Sequence, residues 1–389
     1  MFFTITYVGR HSREGGNPEG KRMDARRKHS GMTYLIAGPI TPPSNKPDNL
    51  YGFLRICKKS NTPLARESIA RILRRLYTDP IPHLHRSPMN LRPLTLDDRL
   101  FVTEYLRRFP PMISELTFTN LFAWRHTRPI WIDEFRESLL FFAETKTGMV
   151  LLGNPVGPVS LAEVFDAYSS RISEATRFPK EKLTDAALPP GAMVVEDRDN
   201  ADYVYRRETL ATLAGRYFTR KRNHINQCLA AYDCQYEIIT PETIPECLAM
   251  QGRWCTDREC KIEPGLRGED QAIEETLLHY GELPLTGGAI RIAGRIEAFT
   301  VGEALNPSTA VTHFEKAMPQ FHGLAQLINQ WFARDNLAGF SYVNREQDLG
   351  IPGLRKAKES YFPDHLVEKV RIVLDGSSME RGNEQQACE

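Results

Sequence analysis

The sequence predicts an α+β fold arranged as two successive units, residues 89–205 and 206–375. From residue 89 onward, short runs rich in β-branched and aromatic residues alternate with segments of helical periodicity. The runs "LTGGAIRI" and "RIEAFTVGEAL" meet at Ala293-Gly294, a two-residue hairpin signal. In the first unit Thr95 stands as N-cap of a helix in "TLDDRLFVTEYLRRF", followed by strands in "WRHTRPIWIDE", "LLFFAET" and "GMVLLGNP". A helix "SLAEVFDAYSSRI" and an extended "GAMVVEDRDNADYVYRRE" complete it. The second unit opens on one long helix, "LATLAGRYFTRKRNHINQCLAAY". After "CQYEIIT", the helix "PETIPECLAMQGRWC" and a helix near 270–280 comes the hairpin. The strand "TAVTHFEKA", the helix "HGLAQLINQWFARD", the strand "GFSYVNRE", the helix "IPGLRKAKESYF" and the strand "VEKVRIVL" follow.

Composition narrows the function classes. The 389 residues are 41% hydrophobic and 25% charged, which suits sizeable cores. No run reaches the ~18 apolar residues that span a bilayer, and "MFFTITYVGRH" has neither a leading basic region nor a small-residue cleavage site, so a cytoplasmic protein is expected. Residues 1–88 hold 16 Lys and Arg against 6 Asp and Glu, a net +10, while the remainder carries a net −9. An acidic folded part is not a bulk nucleic-acid binder, so RNA or lipid contact must come from local patches. The basic segment 1–88 is expected to be disordered except for an amphipathic helix near 64–77, which suits either a membrane surface or packing on the domain. "RHSREGGNP…MDARRKHSGMT" looks like translated bacterial intergenic repeat and Met89 like a natural start, so 1–88 reads as a misassigned start. The tail 376–389 is expected to be disordered. The seven cysteines show no spacing of the zinc kind, and no metal is expected.

The order of elements over 285–375 is that of an acyltransferase core of the GNAT type. Between a strand and a helix, Gln320, Gly323 and Ala325 in "QFHGLAQL" fit the Q/R-x-x-G-x-G/A loop that holds pyrophosphate. Free N–H groups at a helix N-terminus bind anions, and glycine admits close approach; an ordinary glycine at a helix start is the alternative. More specifically, "LAGRYFTRKRNHINQ", "GGAIRIAGRIEAFTVGEAL", "THFEKAMPQFHGLAQLINQWFA" and "YVNREQDLGIPGLRKAKESYFPDHLVEKV" resemble the family named for the C-terminal domain of phosphatidylglycerol lysyltransferase, over about 89 to 375. The resemblance implies two tandem GNAT-like domains, the first degenerate and the second carrying the site. It also implies transfer of an aminoacyl group from charged tRNA to a lipid headgroup. The chain has no stretch like the namesakes' multi-span membrane domain, which bears on the lipid substrate and not on the fold.

Such transfer needs a base, oxyanion donors and positive charge for the donor's phosphates. On "THFEKA", His313 and Glu315 are expected on one strand face, Glu315 as base or amine-binding carboxylate and His313 second to it, with a salt bridge as the alternative for Glu315. Tyr342, Asn344 and Glu346 share a face of "SYVNRE", Tyr342 as acid or core aromatic, Asn344 and Glu346 as ligand contacts. Arg355 and Lys358 lie on one helix face, free to grip donor phosphate or to pair with Glu346 and Asp348. On this division Asp348→Ala costs stability, whereas Asn344→Ala spares it and removes activity. Arg216, Arg220, Lys221 and Arg222 form a basic patch for tRNA or a solvated helix face. The donor is aminoacyl-tRNA or acyl-coenzyme A, held as substrate and not as a tightly bound cofactor. The rival reading is a non-catalytic binding module on the same fold.

Overall fold

A computed structural model describes residues 90–146, 148–258 and 264–374; the readings made of 1–88 and 376–389 lie outside these. Two seven-stranded mixed sheets organise the chain. The first is ordered β1-β2-β3-β4-β5-β14-β6 and the second β13-β7-β12-β11-β10-β9-β8. Strands β1 (Arg92–Pro93), β2 (Ile130–Phe135), β3 (Ser138–Thr145), β4 (Gly148–Leu152), β5 (Ile172–Pro179) and β6 (Ala192–Glu196) precede β7 (Asp202–Arg206). Then come β8 (Cys234–Ile238), β9 (Leu285–Ile292), β10 (Arg295–Asn306), β11 (Thr309–Ala317), β12 (Tyr342–Asn344), β13 (His365–Val367) and β14 (Lys369–Leu374).

The two sheets repeat one theme. An antiparallel run ends in a helical crossover to a parallel strand: β4 crosses to β5, and β11 to β12. Antiparallel neighbours need only a tight turn, whereas a parallel pair needs a longer connection. Helix α3 (Leu161–Ala167) supplies the first crossover and α8 (Leu324–Asp335) the second, with α1 (Arg99–Arg108) and α2 (Phe118–Ala123) earlier in the chain. Thr95 N–H bonds Asp98 Oδ2 at 2.8 Å ahead of α1, and Ala293 and Gly294 take positive φ of 48° and 78° at the expected hairpin.

The boundary expected at 205/206 falls at the end of β7, and the sheets do not divide there. Beside the parallel strand of each sheet lies a strand from the other half of the chain: β14 next to β5, and β7 next to β12. The long helix expected from Leu210 is two helices, α4 (Arg207–Thr212) and α5 (Thr219–Ala231). Leu213 and Gly215 between them adopt φ of 48° and 91°, which a continuous helix cannot contain. The segment after α3 turns directly into β5 at Ile172.

Helices α4, α5 and α8 cover one face of the second sheet around Phe332, Ile328, Tyr205 and Ile290. Helices α6 (Ile244–Asp257) and α7 (Pro264–Leu278) cover the other around Phe299, Phe314 and Met250. A cluster holding Val102, Phe118 and Phe141 with Val204 and Val367 spans both sheets. Beside it lies a buried polar group. Lys369 Nζ of β14 bonds Glu115 Oε2 at 2.6 Å and Asp202 Oδ1 at 2.7 Å, and all three side chains are at most 1% exposed. Arg177 reaches Glu115 at 2.7 Å, and Ser114, Gln347 and Asn344 complete the bonds to Asp202. Burial works against the Glu115 charge, but Lys369 and then Arg177 hold its carboxyl down to about 2.

Candidate functional site: a wedge between two parting strands

Strands β11 and β12 pair over only Thr309↔Tyr342, Ala310↔Val343 and Val311↔Asn344. Beyond Val311, β11 continues to Ala317 while the other segment leaves its strand, so a wedge opens between them. The register with β10 jumps from Val301↔Phe314 to Gly302↔Thr312, which makes His313 the extra residue of a β-bulge. A bulge reverses side-chain alternation. His313 and Glu315, expected on one face, therefore point to opposite ones: His313 meets Glu303 of β10 and Glu346, whereas Glu315 meets Asn329 of α8 and Arg345.

Two bridges cross the wedge. His313 Nδ1 lies 3.0 Å from Glu346 Oε1 and its Nε2 2.8 Å from Glu303 Oε1. Burial disfavours the imidazolium, but the two carboxylates outweigh it and His313 is pushed up to about 9. Asn120 of α2 donates to the same Glu346 oxygen at 3.2 Å. Arg128, partly buried, feels the fields of Glu115 and Glu346, and its Nε has no hydrogen-bond partner among the described residues. On the other face Arg345 bonds Glu315 at 3.1 Å and lies 4.9 Å from the Tyr361 ring centroid. Lys221 of α5 stacks on Tyr361 at 3.6 Å and donates to Ser360 Oγ at 2.7 Å. Burial, then the nearby Arg345, pushes Lys221 and Lys358 each down to about 8.

The chain rims the wedge with a strained turn: Glu346, Leu349 and Gly350 take φ of 57°, 54° and 72°. Left-handed non-glycine residues cost of order 1–3 kcal/mol each, and the surrounding bonds fix them. Asp348, fully buried, accepts from Arg355 Nε at 2.9 Å, Tyr203 O–H at 2.7 Å, Arg198 at 3.0 Å and Gly350 N–H at 2.9 Å. Its carboxyl is held far below the usual range: burial opposes, and Arg355 and Tyr203 lead the hydrogen bonds that outweigh it. Pro352 opens α9 (Pro352–Glu359) as expected of a first helical position. Lys358 Nζ bonds the carbonyls of Arg345 and Glu346.

Of the alternatives expected, Arg355 takes the pairing with Asp348 and Glu315 a salt bridge, while other roles change. Arg355 pairs with Asp348 and Asp199 inside the chain, and Lys358 holds backbone carbonyls while the Glu346 carboxylate goes to His313. Asn344 is fully buried: its amide donates to Asp202 at 2.9 Å and its Oδ1 accepts Glu346 N–H at 2.8 Å. It shapes the turn rather than facing a ligand, so its alanine variant also loses stability. Tyr342 packs against His365 at 5.8 Å, away from the wedge bridges. In the expected phosphate loop Gln320 and Ala325 are exposed. Gly323, with φ 88°, precedes α8, but a Cβ there would stand 2.1 Å from the His224 carbonyl. The close approach that glycine permits is used by α5 of the same chain. Gly323→Ala is expected to lower stability by about 2 kcal/mol or more, read as a fall in the urea midpoint; an unchanged midpoint would contradict this packing. In the basic patch, Arg222 is spent on the Leu213 and Gly215 carbonyls and Lys221 on Ser360 and Tyr361. Arg216, which bonds its neighbour Tyr217, and Arg220 stay exposed.

Sequence reasoning passed over Glu303, Arg345, Arg128, Glu115, Asp202 and Lys369. Glu303 carried a signal, being an acid inside the apolar run "AFTVGEAL" directly after a glycine. The His313 bridge gives a pH prediction. A histidine raised to about 9 stabilises fully below its ordinary 6.5, and that contribution is lost as pH rises through about 9. Above pH 8 the loss is offset by Lys221 and Lys358, which shed a charge penalty there. The clean window is pH 6.5 to 8, in which wild type should lose about 2 kcal/mol of urea-unfolding stability and His313→Gln almost none. Parallel profiles for the two proteins would refute the bridge.

Two mixed sheets, each with a helical crossover to one parallel pair, define a tandem GNAT-like fold. The chain belongs to the family described as phosphatidylglycerol lysyltransferase, C-terminal, which it matches over residues 106–372. A conserved protein of unknown function from Bacteroides thetaiotaomicron is 34% identical with a TM-score of 0.69, covering 74% of this chain and 100% of that one. The C-terminal domain of a candidate lysylphosphatidylglycerol synthetase from Agrobacterium fabrum shares the fold at 12% identity and TM-score 0.54, over 75% of this chain and 96% of that one. An uncharacterized protein of Mycoplasmoides gallisepticum is 22% identical over 178 residues; the match covers 44% of this chain and 56% of that protein's length. Among the described residues no helix is long and apolar enough to cross a membrane.

Proposed function

We propose that this protein transfers an aminoacyl group from aminoacyl-tRNA to an amine or hydroxyl acceptor, with the wedge between β11 and β12 as the place of reaction. The parting of those strands carries the reading, because it sets the half-buried acids Glu315 and Glu346 at a gap within the second sheet. In the reaction the acceptor's nucleophile attacks the acyl carbon. Its proton passes to a base, the ester bond to the donor breaks, and the departing ribose oxygen takes up a proton. Glu315 is the base, at 18% side-chain exposure and 3.1 Å from Arg345. Arg216 and Arg220 are the exposed cations left for tRNA phosphate. The family supports the aminoacyl donor and, among hydroxyl acceptors, a phospholipid headgroup. Acyl-coenzyme A is the alternative donor, which the close packing of Gly323 on α5 disfavours.

One observation favours a binding module instead: His313, Glu315 and Glu346 all have partners, and Asn344 is sealed. Single-turnover assays separate the readings. Purified protein with a mixture of labelled aminoacyl-tRNAs should shorten the lifetime of one ester and yield a labelled acceptor from a cell extract. Turnover of acetyl-coenzyme A alone would move the donor assignment to the thioester. Unchanged lifetimes for both donors would leave the binding module.

A further inference from the structure

A cavity of about 330 Å³ lies between α1, the Pro110–Phe118 segment and the β10–β11 hairpin. Its walls are largely apolar, from Leu106, Pro110, Leu116, Phe118, Leu305 and Phe340. One buried charge faces it. Glu303 is 4% exposed and lines the cavity, and its Oε1 meets His313 Nε2 at 2.8 Å. Its Oε2 has no hydrogen bond among the described residues. That oxygen stays within reach of solvent and so opens onto the cavity, where an ammonium can take the place of water as its donor. The other ionic side chain of the lining, Arg107, is exposed and already paired with Glu104 at 2.8 Å.

We propose that this cavity binds a primary ammonium carried on an apolar body, with the ammonium donating to Glu303 Oε2 and the body lying against Leu106, Leu116, Leu305 and Phe340. Size fits: at roughly 30 Å³ per water-sized group the chamber holds about eleven non-hydrogen atoms, at the small end of ligand pockets. Charge sets the class. Glu303 attracts an ammonium and repels a carboxylate or phosphodiester, so a phospholipid headgroup is disfavoured here. A neutral alcohol gains a hydrogen bond without the ionic attraction. The bound nitrogen would stand one residue from His313 and hence beside the wedge. Its role as substrate rests on the transferase reading; the binding itself does not. Two sources share this chemistry, the α-ammonium of an apolar aminoacyl group on the donor and the amine of a free acceptor.

Calorimetric titration of the full chain, with no donor present, tests the site. n-Heptylamine and leucinamide are the ammonium probes, and heptanol and heptanoate the controls. At least one ammonium probe should bind ten or more times more tightly than heptanoate, and Glu303→Gln should erase that preference. Tighter leucinamide assigns the aminoacyl source, and tighter heptylamine the acceptor. Because Glu303 also pairs with His313, a second variant guards against misfolding. Ala304 lines the mouth and is exposed, so Ala304→Trp should block all four probes without changing the melting temperature of the free protein. Heptanoate binding as well as the amines, undiminished binding to Ala304→Trp, or no binding of either ammonium probe would each overturn the proposal. None of these results bears on donor turnover in the wedge, so the two readings fail separately.

Discussion

Lys369→Met should leave the protein largely unfolded at 37 °C. The ammonium of Lys369 is the only cation within bonding reach of Asp202 among the described residues, and it shares Glu115 with Arg177. Its removal leaves two carboxylates facing each other in a site from which water is excluded. Breaking a buried pair by deleting one partner costs about 3–5 kcal/mol, and a domain has only ~5–15 to lose. Neutralising the carboxylates as well should behave differently: Lys369→Met with Asp202→Asn and Glu115→Gln should recover part of the loss, because the one charge of the group left without its partner is Arg177, which is 21% exposed. Circular dichroism melts of the single and triple variants check this. A single variant melting within about 3 °C of wild type, or a triple variant no better than the single, would show that the group is not what joins β14 to β7.

Glu315→Gln should lower transfer by at least about 100-fold, the lower end of what a positioned base contributes. The amide keeps a hydrogen bond to Asn329 and fills the same space, but losing the pair with Arg345 lowers stability, so rates are compared at equal fractions folded. It cannot accept a proton, and it leaves Arg345 uncompensated among Tyr205 and Tyr361. Glu315→Asp retains the carboxylate but draws it back by one methylene. It should restore part of the rate at equal fractions folded, which a merely structural loss would not show. Equal rates for wild type and Glu315→Gln, at equal fractions folded, would remove Glu315 from the chemistry.

How far residues alone reached can be seen at particular positions. The Ala293-Gly294 hairpin, the Pro352 helix start and the Asp348–Arg355 pair were legible because each rests on local chemistry within a few residues. The break in the helix from 207 to 231 was signalled by Gly215, whose punctuation the surrounding apolar seam masked. The opposed directions of His313 and Glu315 were not legible, since a bulge is a property of register with β10 and not of β11 itself. Asn344 misled for a related reason. At the end of a strand it reads as exposed, yet Asp202, 142 positions away, takes its amide. Lys369 stood in an ordinary strand pattern, "VEKVRIVL", and its burial follows only from the sheet that β14 joins.

The placement of β14 bears on how the molecule is made. On a ribosome the strands β1 to β6 emerge long before residues 369–374, and until then β5 and β6 have no strand between them. The first sheet must wait with two open edges, including the apolar run Met193, Val194 and Val195. Unpaired edges of that kind invite association with other chains. Emergence of residues 369–374 is thus the event that lets the first sheet close, and their loss would spoil that sheet although its other strands come earlier in the chain.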